Sequence, residues 1–141
     1  MRRFWFGLLM VAVTLPAFAG NISVSGAWLR LLPGNLPLAG YAYVTNTGTR
    51  PLTLVAANSP EFSEVQLHRS MQRNGMDVMS HLDSIGIAAG KSLDFAPGGY
   101  HLMLFNRKHP LHVGQQVPVT LIFSDGAHFT AVFLVKGAAG Q

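Results

Sequence analysis

An all-β domain, a sandwich or barrel, is the fold this sequence predicts, and three observations predict it. Short segments rich in Val, Leu, Phe, Tyr and Thr recur at close spacing. Gly, Pro, Asn and Asp punctuate them, so the chain must turn often. No segment beyond residue 19 carries the apolar period of a helix.

The elements follow in order. Met1-Arg2-Arg3 is a basic start, an apolar run over 4–18 is broken by Gly7 and Pro16, and Ala17-Phe18-Ala19 supplies small residues at cleavage positions. This predicts a secretory signal at 1–19, cleaved after Ala19, because the run falls short of the roughly 20 apolar residues of a spanning helix. Strands are predicted at 22–25, 27–31, 40–46, 52–57, 63–68, 77–82, 92–95, 101–105, 116–123 and 128–135. Turns are predicted at Pro33-Gly34-Asn35, Asn46-Thr47-Gly48, Asn74-Gly75, Pro97-Gly98-Gly99 and Asp125-Gly126. Val117, Val119, Leu121 and Phe123 share one parity, so that strand has one face in the core. In the last strand Val132 and Leu134 add apolar residues on the second parity, which predicts cover on both faces. One domain is expected over 20–136, followed by a frayed tail at 137–141.

Composition excludes several function classes. Loss of 1–19 takes Lys plus Arg from 10 to 8 against 6 acidic residues, and the formal charge from +4 to +2. No basic stripe follows, so nucleic acid finds little to hold. No apolar stretch of spanning length follows Ala19, so no membrane span is expected after the signal. The chain has no cysteine, which removes disulfides, thiol redox chemistry, blue-copper sites and cysteine-based zinc sites together. A metal would have to be held by His, Met or carboxylate.

Beyond residue 19 every methionine lies between Met71 and Met103, interleaved with His68, His81 and His101. Asn74-Gly75 tolerates the positive φ angles of a type I′ turn, and a two-residue loop there sets Arg73 opposite Met76, Ser70 opposite Met79 and His68 opposite His81. His68, Ser70, Met79 and His81 then share one face, with His68 and Met79 as diagonal neighbours. Met71, Arg73, Met76 and Val78 share the other face, where packing is the favoured reading of both methionines. His101 and Met103 also share a face, with Leu102 and Leu104 directed into the core. Singly, each of these residues reads as packing or a solvated edge. Jointly, two His/Met pairs offer neutral soft donors, which suit Cu(I) and not the hard ions that want carboxylate oxygen. No nucleophile with a base, paired carboxylates or phosphate loop is evident, so no enzyme is expected. His81 is a solvated strand end with a possible auxiliary role, and His109, His112 and His128 read as surface residues.

His68, Met79, His101 and Met103 reproduce the pattern H-x10-M-x21-H-x-M, and the segment Pro97-Gly98-Gly99-Tyr100-His101-Leu102-Met103-Leu104 surrounds its second half. In these motifs, and in Trp28, Arg30, the 41–46 strand, Leu111, Gly114 and the 121–123 segment, the chain resembles the PCu(A)C periplasmic copper chaperones. The resemblance implies a cupredoxin-like Greek-key β-sandwich or barrel, with one Cu(I) per chain held by His68, Met79, His101 and Met103. It implies a periplasmic location and delivery to the apo CuA domain of cytochrome c oxidase subunit II, with a Sco-type thiol protein as a second partner. Two departures stand out: Arg69 occupies a position where many relatives carry methionine, and the His/Met-rich C-terminal extension of the family is missing. Both leave the four-residue set intact. The competing readings are a copper buffer or tolerance protein with the same site, and a metal-free β-sandwich that binds a protein or polysaccharide.

Overall fold

The structure is a computed structural model that describes residues 21–141. The predicted signal at 1–19 lies outside the described residues. Ten strands run in chain order: β1 (Ile22–Arg30), β2 (Leu38–Asn46), β3 (Leu52–Asn58), β4 (Phe62–Arg73), β5 (Met76–Leu82), β6 (Ile85–Ile87), β7 (Ser92–Phe95), β8 (Tyr100–Arg107), β9 (Gln116–Phe123) and β10 (His128–Lys136). No helix among the described residues is long and apolar enough to cross a membrane.

Neighbouring strands follow the order β4-β8-β7-β2-β1-β10-β9-β3, and a β3–β4 pairing at Ala57 and Val65 returns the series to its start. The result is a closed 8-strand barrel of cupredoxin-like type, with β5 and β6 as appended strands. Closure leaves few free edges, and β5 retains one.

The core follows from alternation. Val117, Val119, Leu121 and Phe123 of β9 are all buried, as are Ala131, Phe133 and Val135 of β10 and Leu102 and Leu104 of β8. Burying each large side chain is worth about 1.5–3 kcal/mol, and these together hold a domain that has no disulfide.

Several elements differ from the sequence expectation. The two predicted strands at 22–25 and 27–31 are one strand, β1, whose register with β2 shifts between Ser25 and Trp28. The bulge absorbs the extra residue that looked like a break. β4 continues to Arg73 because the β4–β5 hairpin extends it beyond the barrel wall. The short β6 carries too few residues to announce itself by pattern. The last strand is covered on one face only: Val132 is 57% exposed and Leu134 39%. Its apolar second parity reflects β-propensity on a solvent face, not burial. The residues after β10 form a turn in which Gly137 N–H donates to the Gln141 carbonyl at 2.9 Å, and Gly140 lies against the Trp28 ring.

Candidate metal centre

The hairpin turn fixes one half of the site. Asn74 and Gly75 have φ of 53° and 75°, both left-handed, as a type I′ turn requires. The ladder then pairs Arg73 with Met76, Ser70 with Met79 and His68 with His81, the register the turn predicts.

The other half is fixed by the turn before β8. Pro97 and Gly98 occupy its corner, Gly98 has φ 84°, and Gly99 N–H donates to the Ala96 carbonyl at 3.0 Å. The Gly99 carbonyl then accepts the Ser70 N–H at 2.9 Å and the His101 Nδ1–H at 3.2 Å. One carbonyl thus ties the end of β4 to the ring of His101.

β4 and β8 pair antiparallel, with His68 directly opposite His101 and Gln66 opposite Met103. Side chains at directly paired positions share a face. Gln66, His68, Ser70, Met79, His81, His101 and Met103 therefore stand on one face of the β5-β4-β8 segment. The His68 and His101 rings lie edge to face with centroids 5.5 Å apart, and His68 and His81 are 6.0 Å apart. His101 is 3% exposed and His68 9%, whereas Met79 is 51% exposed. Met103 is half-buried, and Met79, His101 and Met103 line one cavity of about 490 Å³ with Arg30, Ala39 and Tyr41. His68 stands behind this wall against His101. Met71 also lines the cavity, and Met76 is 69% exposed, so packing does not account for Met76.

Hydrogen bonds assign a proton to each buried ring. The Gly99 carbonyl can only accept, so His101 carries its proton on Nδ1 and its Nε2 is bare. His68 Nε2 lies 2.8 Å from Gln66 Oε1, and Gln66 Nε2–H donates to Glu64 Oε1 at 2.8 Å. A carboxylate cannot donate, so the amide oxygen faces His68, and His68 Nε2 holds the proton. His68 Nδ1 and His101 Nε2 are buried and have no hydrogen-bond partner. A buried lone pair with no donor is costly in a protein that gives it no other use. Burial, then the neighbouring His101 and His81, lowers the His68 pKa below 6.5. Burial lowers that of His101 as well, against the opposing pull of the Gly99 hydrogen bond. Both rings are held in the neutral form a metal ligand needs.

Two orphaned imidazole nitrogens on a strand face that also carries two thioethers suit a soft monovalent ion. Among the described residues no group of three His, Cys, Asp or Glu side chains converges to hold a metal. His81 is exposed and lies 3.9 Å from Asp83, His109 pairs with Glu61 at 3.3 Å, and His112 and His128 are exposed. Arg69 lies over the Tyr100 ring at 5.0 Å on the opposite face from His68.

Sequence reasoning missed Gln66 and Glu64. Their signal was present, since 64, 66 and 68 share one strand parity, but nothing in a sequence tells an orienting amide from a solvated one. It also gave no role to the aromatic stack at the cavity wall. There Arg30 sits 5.5 Å from the Trp28 ring and 5.2 Å from the Tyr41 ring, and Tyr41 lies 6.4 Å from His101.

Comparison with known proteins bears on the family and the fold. The family model described as putative lipoprotein LpqE-like matches residues 22–135. A putative lipoprotein of Leifsonia xyli subsp. xyli is 39% identical over 142 aligned positions, covering 95% of this chain and 85% of its own. The copper-bound PCuAC domain from PmoF2 superposes with a TM-score of 0.70 at 28% identity, over 84% of this chain and 95% of that one. The solution structure of Cu(I)-DR1885 from Deinococcus radiodurans matches with a TM-score of 0.67 at 30% identity, over 89% of this chain and 81% of that one.

Proposed function

The chain belongs to the LpqE-like family and shares the PCuAC fold, and from that premise we propose that it is an exported Cu(I) chaperone that holds one ion between His68, Met79, His101 and Met103. The observation that carries this reading is the pair of buried, adjacent imidazoles, each with one nitrogen left without a partner, on the strand face that also carries the two thioethers.

The donors explain carriage and release together. All four are neutral, so the bound ion keeps its charge and remains attractive to an anionic thiolate. The two imidazoles are held by β4 and β8 on the face of the barrel wall turned away from the core, and they define where the ion sits. Met79 stands half in solvent on the edge strand β5. It is the donor an incoming sulfur replaces first, because its displacement moves no core residue. The reading includes no catalytic step. Its client is the apo CuA domain of cytochrome c oxidase subunit II, with a Sco-type thiol protein as a second partner, and its compartment is the periplasm after cleavage behind Ala19. The family model and the Leifsonia relative carry the words putative lipoprotein, but these 141 residues contain no cysteine to take an S-linked lipid.

Anaerobic titration with Cu(I) against a competing chelator tests the site, and one equivalent per chain is the expected result. Incubation of the loaded protein with an equimolar apo CuA domain tests delivery. Copper that stays on this protein would leave a buffer in place of a chaperone, and a wild-type protein with no Cu(I) affinity would leave a metal-free binding module.

A further inference from the structure

We infer that Gln66 is a positioning residue that selects the nitrogen His68 offers to the ion, and that Glu64 sets the orientation of Gln66. The inference rests on the Cu(I) reading above and deepens it. Residues 64, 66 and 68 alternate along β4 and point to one side, so their side chains meet in sequence order without any contribution from the loops. The chain of contacts runs from the Glu64 carboxylate to the Gln66 amide at 2.8 Å and from the Gln66 carbonyl oxygen to His68 Nε2 at 2.8 Å. Its direction is set at the carboxylate end. A flipped amide would place its oxygen against a carboxylate oxygen and its N–H₂ against the ring, losing the first bond and reversing the second.

The consequence is an asymmetric pair. His68 presents Nδ1, close to its own backbone, and His101 presents Nε2, at the far end of its ring, because a backbone carbonyl holds its Nδ1–H. His68 lacks a carbonyl at the equivalent place, and the amide takes over that role. An imidazole whose second nitrogen donates to a fixed acceptor is oriented and made more basic, and loss of such a partner weakens metal binding by about 10–100-fold.

The test reads the proton on His68 directly, in the metal-free full chain, by long-range ¹H–¹⁵N correlation at neutral pH. Wild type is expected to show the Nε2–H form alone. Gln66→Lys, which puts a donor where the acceptor stands, is expected to populate the Nδ1–H form. The double variant Glu64→Gln/Gln66→Glu, in which carboxylate and amide trade places, is expected to restore Nε2–H. Cu(I) affinity against a chelator should fall about 10-fold or more in Gln66→Leu and Gln66→Lys, and return to within about 3-fold of wild type in the double variant. An Nδ1–H form in wild type, or an unchanged His68 proton in Gln66→Lys, would overturn the inference whatever the copper result. Absence of Cu(I) binding in wild type would overturn the function proposed above and leave the proton assignment to be judged on the spectra alone.

Discussion

Two buried polar groups in this barrel are treated in opposite ways. Asn46, at the end of β2, is fully buried and fully satisfied: its amide donates to the Arg50 carbonyl at 2.7 Å and the Ile87 carbonyl at 3.1 Å, and its oxygen accepts the Gly48 N–H at 3.0 Å. His68 and His101 are buried nearly as deeply, yet each keeps one nitrogen with no partner. The first arrangement pins a loop against β6 and contributes stability. The second costs stability in the empty protein and is repaid only by a ligand that accepts two lone pairs. The difference separates structural polarity from functional polarity without reference to any relative.

Substitution at the two places should therefore give opposite pairs of results. His101→Phe is expected to lower Cu(I) affinity roughly 100-fold or more, since it removes a donor outright and not merely its support. Its effect on the unfolding free energy should stay within about 1 kcal/mol, because an apolar ring replaces an unsatisfied one. The Gly99 carbonyl still accepts the Ser70 N–H in that variant. Asn46→Ala is expected to do the reverse. It strands two carbonyls and one N–H, at about 1–3 kcal/mol for a buried group left unpaired, and leaves copper affinity unchanged. Urea unfolding and chelator competition on both variants decide the matter. A large loss of stability in His101→Phe would show that the imidazole is structural.

Much of this contrast could be read from the chain before its fold was known, and the part that could not is informative. Asn74-Gly75 fixes the β4–β5 register because a two-residue turn leaves the ladder no freedom, so the pairing of His68 with His81 was legible. The parity of β8 placed Leu102 and Leu104 in the core and His101 and Met103 on the other face. The meeting of His68 with His101 was not legible. It joins strands 33 residues apart by sequence number, and only barrel closure and the turn at Pro97-Gly98 set that register. Buried Asn46 gave no sign of its role either, since an Asn before Thr-Gly reads as an ordinary turn residue. Patterns of period two report which face a residue occupies, and they are silent about which strand stands opposite.

Acid should distinguish the two regions by titration. The His68 and His101 pKa values are lowered in the folded protein, chiefly by burial. Below the ordinary imidazole value of 6.5 the unfolded chain takes up protons that the folded one still refuses. Their contribution to stability is thus fully present above that value and is lost as pH falls from it through the lowered folded values. The urea midpoint of the metal-free protein should drop across that window. Asn46→Ala should keep the same slope from a lower start, because Asn46 does not titrate, while the double variant His68→Phe/His101→Phe should flatten it. A slope that survives in the double variant would show that the two buried imidazoles do not set the acid sensitivity.

The smallest effects are expected at the rim, where they sharpen the comparison within the site itself. Met79 and His81 stand on the same face of β5 as each other, and both are more than half exposed by side chain or residue. Only Met79 reaches the cavity that His101 and Met103 line. Met79→Leu keeps size and apolar character and removes the sulfur, so Cu(I) affinity should fall about tenfold, or about 1.4 kcal/mol, with no change in unfolding. His81→Ala should change that affinity by less than about threefold, because a solvated imidazole outside the cavity adds no donor. It should also raise the His68 pKa slightly, since one of the charges that opposes His68 protonation is gone. A weakening at His81 equal to that at Met79 would add an imidazole to the donor set, and with it move the preference of the site from Cu(I) toward Cu(II).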